Sequence, residues 1–207
     1  MSLEIEKNYH NIDFNEVYDL LKKMKAKREI NLFREYHCVN KKKNYRVRLR
    51  DTGNKIIFTV KRRKKNNKFD TEWEIEVSDL EKAKEMLEIL GTKLVGPYEK
   101  IRESFNYKKS EIAIDYMIFG DPYLQIESPN EKELKSIEKK LKLSNNNNIP
   151  INEFEFYGVD KIKFNKLIKT KFTFLDLNKV KKLVTKQKIK FNKIMRMKKK
   201  LYKEATK

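Results

Sequence analysis

Arg46, Arg48 and Arg50 stand at alternate positions, and so do Glu72, Glu74 and Glu76. In an extended chain, residues i and i+2 share a face, so each set would line one side of a strand. A face of guanidinium groups suits phosphate oxygens, through forked, charge-assisted hydrogen bonds. A face of carboxylates suits a hard divalent cation, or the arginines of a neighbouring strand. The same pattern recurs in Glu4 and Glu6, in Thr59, Lys61 and Arg63, in Lys100 and Arg102, and in Gln125 and Glu127, while Asp115 stands between Ile114 and Tyr116. Two histidines and one cysteine, Cys38, are too few for a His- or Cys-based metal cluster or an internal disulfide. Any metal would be held by carboxylates, which points to Mg²⁺ or Mn²⁺.

The elements that must position these groups follow from periodicity. Period-two alternation predicts strands over 3–9, 44–50, 55–63, 72–77, 100–107, 111–117 and 123–127. Asp51-Thr52-Gly53-Asn54 reads as a hairpin turn and Lys64–Asp70 as a longer polar loop. Helical spacing appears at Phe14, Val17, Leu20, Leu21 and Met24, and again at Leu80, Ala83, Met86, Leu87 and Leu90. A third helix is expected from Ser128-Pro129-Asn130-Glu131, with Ser128 as cap and Glu131 at the capping-box position. Asn145–Asn148 is a low-complexity break, and two further helical patterns follow Gly158, the second over about 178–203. The order implies an α+β chain with a largely antiparallel sheet. Any one of these strands, taken alone, reads first as the solvent face of an ordinary sheet. Segregation of sign from strand to strand is what a solvent face does not call for.

The ordered set of motifs resembles the CYTH family, which joins class IV adenylyl cyclases, thiamine triphosphatases and inorganic triphosphatases. The resemblance runs from Glu4-Ile5-Glu6-Lys7-Asn8 through Tyr45–Arg50, Phe58–Arg62, Glu72–Val77, Glu99–Arg102 and Ile114-Asp115 to Pro122–Glu127, and covers about residues 3–168. It implies a closed antiparallel β-barrel, a triphosphate tunnel with a polar interior and flanking helices, as one domain over 1–170. By the same resemblance, Glu4, Glu6 and Glu127 would hold Mg²⁺ or Mn²⁺, with Gln125 beside them. Arg48, Arg50, Lys61 and Arg102 would clamp phosphates, with Lys100 among them and Arg46 and Arg63 further out. Glu72, Glu74, Glu76 and Asp115 would bind a second metal or orient the basic groups. Glu4, Glu6, Lys61 and Arg102 form the implied catalytic set. Two positions depart from the family pattern: Asn8 replaces a lysine, and Gln125 replaces a glutamate.

The implied activity is metal-dependent hydrolysis of the terminal phosphate of inorganic triphosphate or a nucleoside triphosphate. Adenylyl cyclase, RNA 5′-triphosphatase and non-catalytic polyphosphate binding are the alternatives. The chain carries a net charge of +20, but residues 161–207 hold 18 lysines and arginines against Asp176 and Glu204. This basic C-terminal extension, over 171–207, reads as a helical arm for RNA or another polyanion, or as a lysine-rich solvated face. No apolar run is long enough for a membrane helix and the N-terminus lacks a signal-peptide core, so a cytoplasmic monomer or homodimer is expected.

Overall fold

The computed structural model describes residues 5–40, 44–62, 71–144, 152–167 and 172–207. Eight strands form one sheet: β1 (Ile5–Tyr9), β2 (Lys27–Asn40), β3 (Tyr45–Asp51), β4 (Ile56–Arg62), β5 (Thr71–Val77), β6 (Val95–Tyr107), β7 (Ser110–Met117) and β8 (Tyr123–Ser128). Their order is β1-β8-β7-β6-β2-β3-β4-β5, and every neighbouring pair is antiparallel. The sheet curls into a half-barrel, and among the described residues β1 and β5 remain its two edges. The expected α+β class and antiparallel tunnel framework are present, but the wall is open where a closed barrel was expected.

β2 is absent from the periodicity reading, although it lies at the centre of the sheet between β6 and β3. Its alternation is broken by Leu32-Phe33, which puts an apolar residue on each face in succession. Register explains why both faces tolerate this. Leu32 pairs with Ile101 on the helix-covered face, and Phe33 pairs with Lys100 on the other.

The convex face holds the core. Ile101, Ile112, Ile114, Leu124 and Ile126 are fully buried there. Helix α1 (Phe14–Lys23) adds Val17 and Leu21, and α3 (Glu131–Lys140) adds Leu134 and Ile137. Asp13 caps α1 by accepting from Asn15 and Glu16 amides. Asn130, rather than Ser128, caps α3, accepting from the Glu133 amide at 2.9 Å. Ser128 stays in β8, where its hydroxyl bonds Ser110 Oγ at 2.9 Å. Helix α2 (Leu80–Ile89) follows its predicted span but buries no residue, leaving Met86, Ile89 and Leu90 exposed.

The C-terminal segment forms α4 (Glu153–Tyr157), α5 (Lys161–Leu167), a 3₁₀ turn (Phe174–Asp176), α6 (Leu177–Lys181) and α7 (Lys188–Ala205). The single helix expected over 178–203 is therefore two, separated near Gln187, whose φ is +50°. α7 packs on β2 and β6 and buries Phe191, Met195 and Leu201 in the same core as the sheet. Among the described residues no helix is long and apolar enough to cross a membrane.

A buried ammonium pins α7 to the β7–β8 turn. Lys198 Nζ donates to the Gly120 carbonyl at 2.6 Å and to the Ile118 carbonyl at 3.4 Å. Gly120 has φ +91°, and a Cβ there would fall 1.7 Å from Glu153 Oε2. That carboxylate accepts from the Asp121 amide at 2.6 Å. Burial, only partly offset by Glu153 and Asp121, pushes Lys198 down to about 8. Between that value and the ordinary lysine value of about 10.4, the unfolded chain binds more protons than the folded one, so folding is favoured as pH rises. Between pH 8 and pH 10, denaturant titration should find the wild-type chain gaining about 2 kcal/mol over Lys198→Met. A pH-independent difference would show that burial does not lower the Lys198 ammonium.

Candidate triphosphate site

Register alone brings the predicted groups onto one surface. Across the concave face run the opposed pairs Glu6–Glu127, Asn8–Gln125, Glu111–Glu127 and Asp115–Arg102. The row continues through Glu35–Arg50, His37–Arg48, Arg46–Lys61, Arg48–Thr59, Thr59–Glu74 and Lys61–Glu72. Opposed residues on adjacent strands point to the same side, so eight strands contribute to one charged lining. Glu4 and Arg63 lie outside the described residues, as does the polar loop 64–70.

Asp115 is the hub of the β6–β7 part. It has no exposed surface. Arg102 Nε reaches its Oδ1 and Arg102 Nη2 its Oδ2, both at 2.8 Å, in a forked pair. Lys100 Nζ and Tyr123 Oη add bonds to Oδ2 at 2.9 and 3.0 Å. Burial would raise the Asp115 carboxyl, but Arg102 and Lys100 outweigh it and hold it below the usual range. Burial lowers Lys100, with Asp115 opposing. The protein contacts of Asp115 are thus to two basic groups and a tyrosine hydroxyl. Arg102 also donates to Glu111 Oε1 at 3.2 Å and to Gln125 Oε1.

β3, β4 and β5 build the second part. Arg48 Nη2 lies 3.3 Å from Thr59 Oγ1, 3.2 Å from Glu74 and 3.5 Å from Glu72. Lys61 Nζ is 2.6 Å from Glu72. Arg46 is on the same face but exposed, and Glu76 pairs with Lys55 at 3.2 Å toward the rim. These two predicted residues therefore stand apart from the buried cluster.

Two site residues escaped the sequence reading because both sit on β2. Glu35 accepts from Arg50 Nε at 2.7 Å, and His37 Nε2 lies 3.1 Å from its other oxygen. Burial acts to raise this carboxyl, but His37, Lys100, Arg50 and Arg48 together hold it well below the usual range. Phe33 presents its ring to three cations at once: Arg50, Lys100 and Arg102 lie 5.0, 5.5 and 5.8 Å from its centroid. An aromatic face attracts cations without consuming their N–H donors. Glu111 is a third omission. As a lone acid opposite a recognised motif residue, it carried no signal of its own.

Among the described residues, two polar atoms of this lining are buried without a hydrogen-bond partner in the protein: Asn8 Oδ1 and Arg48 Nε. Buried polar groups are nearly always paired, with protein or with water, so each of these atoms has capacity for a further partner. The acceptor lies at the acidic edge, where Asn8 Nδ2 donates to Glu6 at 3.3 Å. The donor lies in the arginine cluster. Glu6, Glu127 and Asn8 offer the hard oxygen donors that Mg²⁺ or Mn²⁺ prefers. Among the described residues no three acidic, histidine or cysteine side chains form a ready cage.

The CYTH domain model matches residues 9–153 of this chain. A Methanocaldococcus jannaschii protein that bears the provisional name of adenylate cyclase MJ0240 is 29% identical over 174 residues, covering 76% of this chain and 99% of the relative. Among solved structures, the PH1012 protein of Pyrococcus horikoshii OT3 superposes with a TM-score of 0.59 at 25% identity, over 74% of this chain and 98% of the other. A Vibrio parahaemolyticus structure, provisionally titled an adenylate cyclase, gives 0.58 at 16% identity over 73% and 95%, and shows the shared fold. The domain match covers β2 to β8 with most of the charged lining, starting just after Glu6 and Asn8 of β1, and because it takes in well over half of the residues the chain belongs to the CYTH family.

Proposed function

We propose that this chain binds a triphosphate along its concave face with Mg²⁺ or Mn²⁺ and hydrolyses the terminal phosphate. The observation that carries the reading is the pair of orphaned atoms: an unpartnered acceptor beside acidic residues and an unpartnered donor among arginines. A metal–triphosphate complex offers both kinds of partner, a cation for the amide oxygen and phosphate oxygens for the guanidinium. Arg48, Arg50, Lys61, Lys100 and Arg102 hold the phosphate oxygens, and Glu6, Glu127 and Asn8 take the metal. Glu4 and Arg63 extend the two sets by position in the sequence. When bound, the metal supplies charge neutralisation at the phosphate oxygens and lowers the pKa of bound water. Glu6 accepts the proton of the attacking water, while Lys61 and Arg102 stabilise charge on the phosphoryl oxygens.

The cations of this clamp already have carboxylate partners: Arg50 with Glu35, Lys61 with Glu72, Lys100 and Arg102 with Asp115. Phosphate must therefore share or displace protein carboxylates, and a metal that draws carboxylates to itself eases that exchange. A second reading, adenylate cyclase, draws on the name of the M. jannaschii relative. The same clamp would serve, with a ribose hydroxyl in place of water.

Incubation with inorganic triphosphate, ATP, thiamine triphosphate or triphosphate-ended RNA, plus Mn²⁺, decides between them. Orthophosphate release that is lost in Glu6→Gln supports the hydrolase, cyclic AMP with pyrophosphate replaces it by the cyclase, and tight binding without turnover removes both. Calorimetry on the same ligand tests the Phe33 platform. Phe33→Leu should weaken triphosphate binding several-fold, because Arg50, Lys100 and Arg102 lose the ring that helps position them, while Phe33→Tyr stays near wild type. Equal weakening by both would assign Phe33 to packing alone. Gln125→Glu restores a charged oxygen beside Asn8, and its Mn²⁺ dissociation constant should fall several-fold. An unchanged constant would place the metal away from β8.

A further inference from the structure

We infer that the outward face of α7 is a docking surface for the phosphodiester backbone of nucleic acid, separate from the concave face. Lys193, Arg196, Lys200 and Lys203 are all exposed, and their spacing of three, four and three residues sets them in one stripe. At 1.5 Å per residue the stripe is about 15 Å long. That is the axial span of about four successive phosphates on one strand of a duplex.

Three observations separate this stripe from an ordinary solvated face. The first is sign. Surfaces that only confer solubility intersperse both charges, whereas the two acidic residues of 161–207 are engaged elsewhere. Asp176 pairs with Lys179 at 2.7 Å, and Glu204 turns to Arg28 on β2 at 2.6 Å. The second is rigidity. Phe191, Met195, Lys198 and Leu201 anchor the opposite side of the helix in the core, so the cations are held in register rather than on a loose arm. The third is how little apolar surface the outward side keeps: among the described residues Ile189, in the first turn and 89% exposed, is the one large apolar side chain of α7 that is exposed. An interfacial membrane helix needs an apolar face to insert, and here that face is spent on β2 and β6. Tyr202, the aromatic of the last turns, stacks on Phe174 at 5.5 Å, leaving no base platform. Contact is therefore with phosphates and independent of base sequence.

α7 covers the convex side of β2 and β6, while the triphosphate lining occupies their concave side, so the two surfaces bind independently. The test uses the full chain and a labelled 20-nucleotide oligo(U) with a 5′-hydroxyl end, by fluorescence anisotropy from 50 to 200 mM KCl. The expected logarithmic salt slope is about −3, from four phosphate contacts on a single strand. Lys193→Glu/Arg196→Glu/Lys200→Glu should lower affinity at least tenfold at 50 mM salt. The neutral Lys193→Gln/Arg196→Gln/Lys200→Gln variant should fall between, with triphosphate binding intact in both. Excess inorganic triphosphate should leave oligo(U) bound. Displacement by triphosphate, unchanged affinity in the charge-reversed variant, or no binding at 50 mM salt would each overturn the inference. So would preference for phosphatidylserine vesicles over oligo(U) at equal phosphate.

Discussion

A carboxylate with no exposed surface, Asp115, sits against two cations that are themselves nearly buried, and the concave face is organised around it. Charges removed from water are costly unless paired and hydrogen-bonded. Here the pairing is forked, and a tyrosine hydroxyl occupies a further site on the same carboxylate. Removing one member would strand the others in low dielectric. The arrangement therefore fixes the rotamers of Lys100 and Arg102 and holds both cations on the concave face. Fixed cations are what phosphoryl chemistry requires, since positioning and charge stabilisation supply most of its catalysis.

The lining is balanced rather than simply basic. Glu35, Glu72, Glu74, Glu111 and Asp115 interleave with Arg48, Arg50, Lys61, Lys100 and Arg102. Phe33 adds attraction for three of those cations without adding negative charge. A purely cationic face would repel itself in the empty protein, and a fully neutralised one would hold phosphate poorly. The observed mixture lies between, with Arg48 Nε still seeking an acceptor.

Much of this was legible in the sequence because a strand's period of two assigns each charge to a face. Seven of eight strands and the segregation of arginine from glutamate followed from that rule. β2 did not, because Leu32-Phe33 breaks the alternation, and with it went Phe33 and Glu35, whose roles exist only through Arg50, Lys100 and Arg102 on neighbouring strands. The cap of α3 was misplaced by two residues because Ser128 and Asn130 both suit a cap, and β8 extends far enough to claim the serine. Closure of the barrel was likewise beyond reach. It depends on whether β1 and β5 meet, which no local pattern encodes.

The pin between Lys198 and the β7–β8 turn bears on how the chain assembles. The convex side of β2 and β6 is covered by Phe191, Met195 and Leu201, which emerge from synthesis well after the strands they protect. Contacts of such sequence separation are the slow ones in folding. Until residues 188–205 arrive, the central strands keep an apolar face open to solvent, and uncovered apolar sheet is where incomplete chains associate wrongly. The basic segment is therefore also the piece whose arrival completes the core of the sheet.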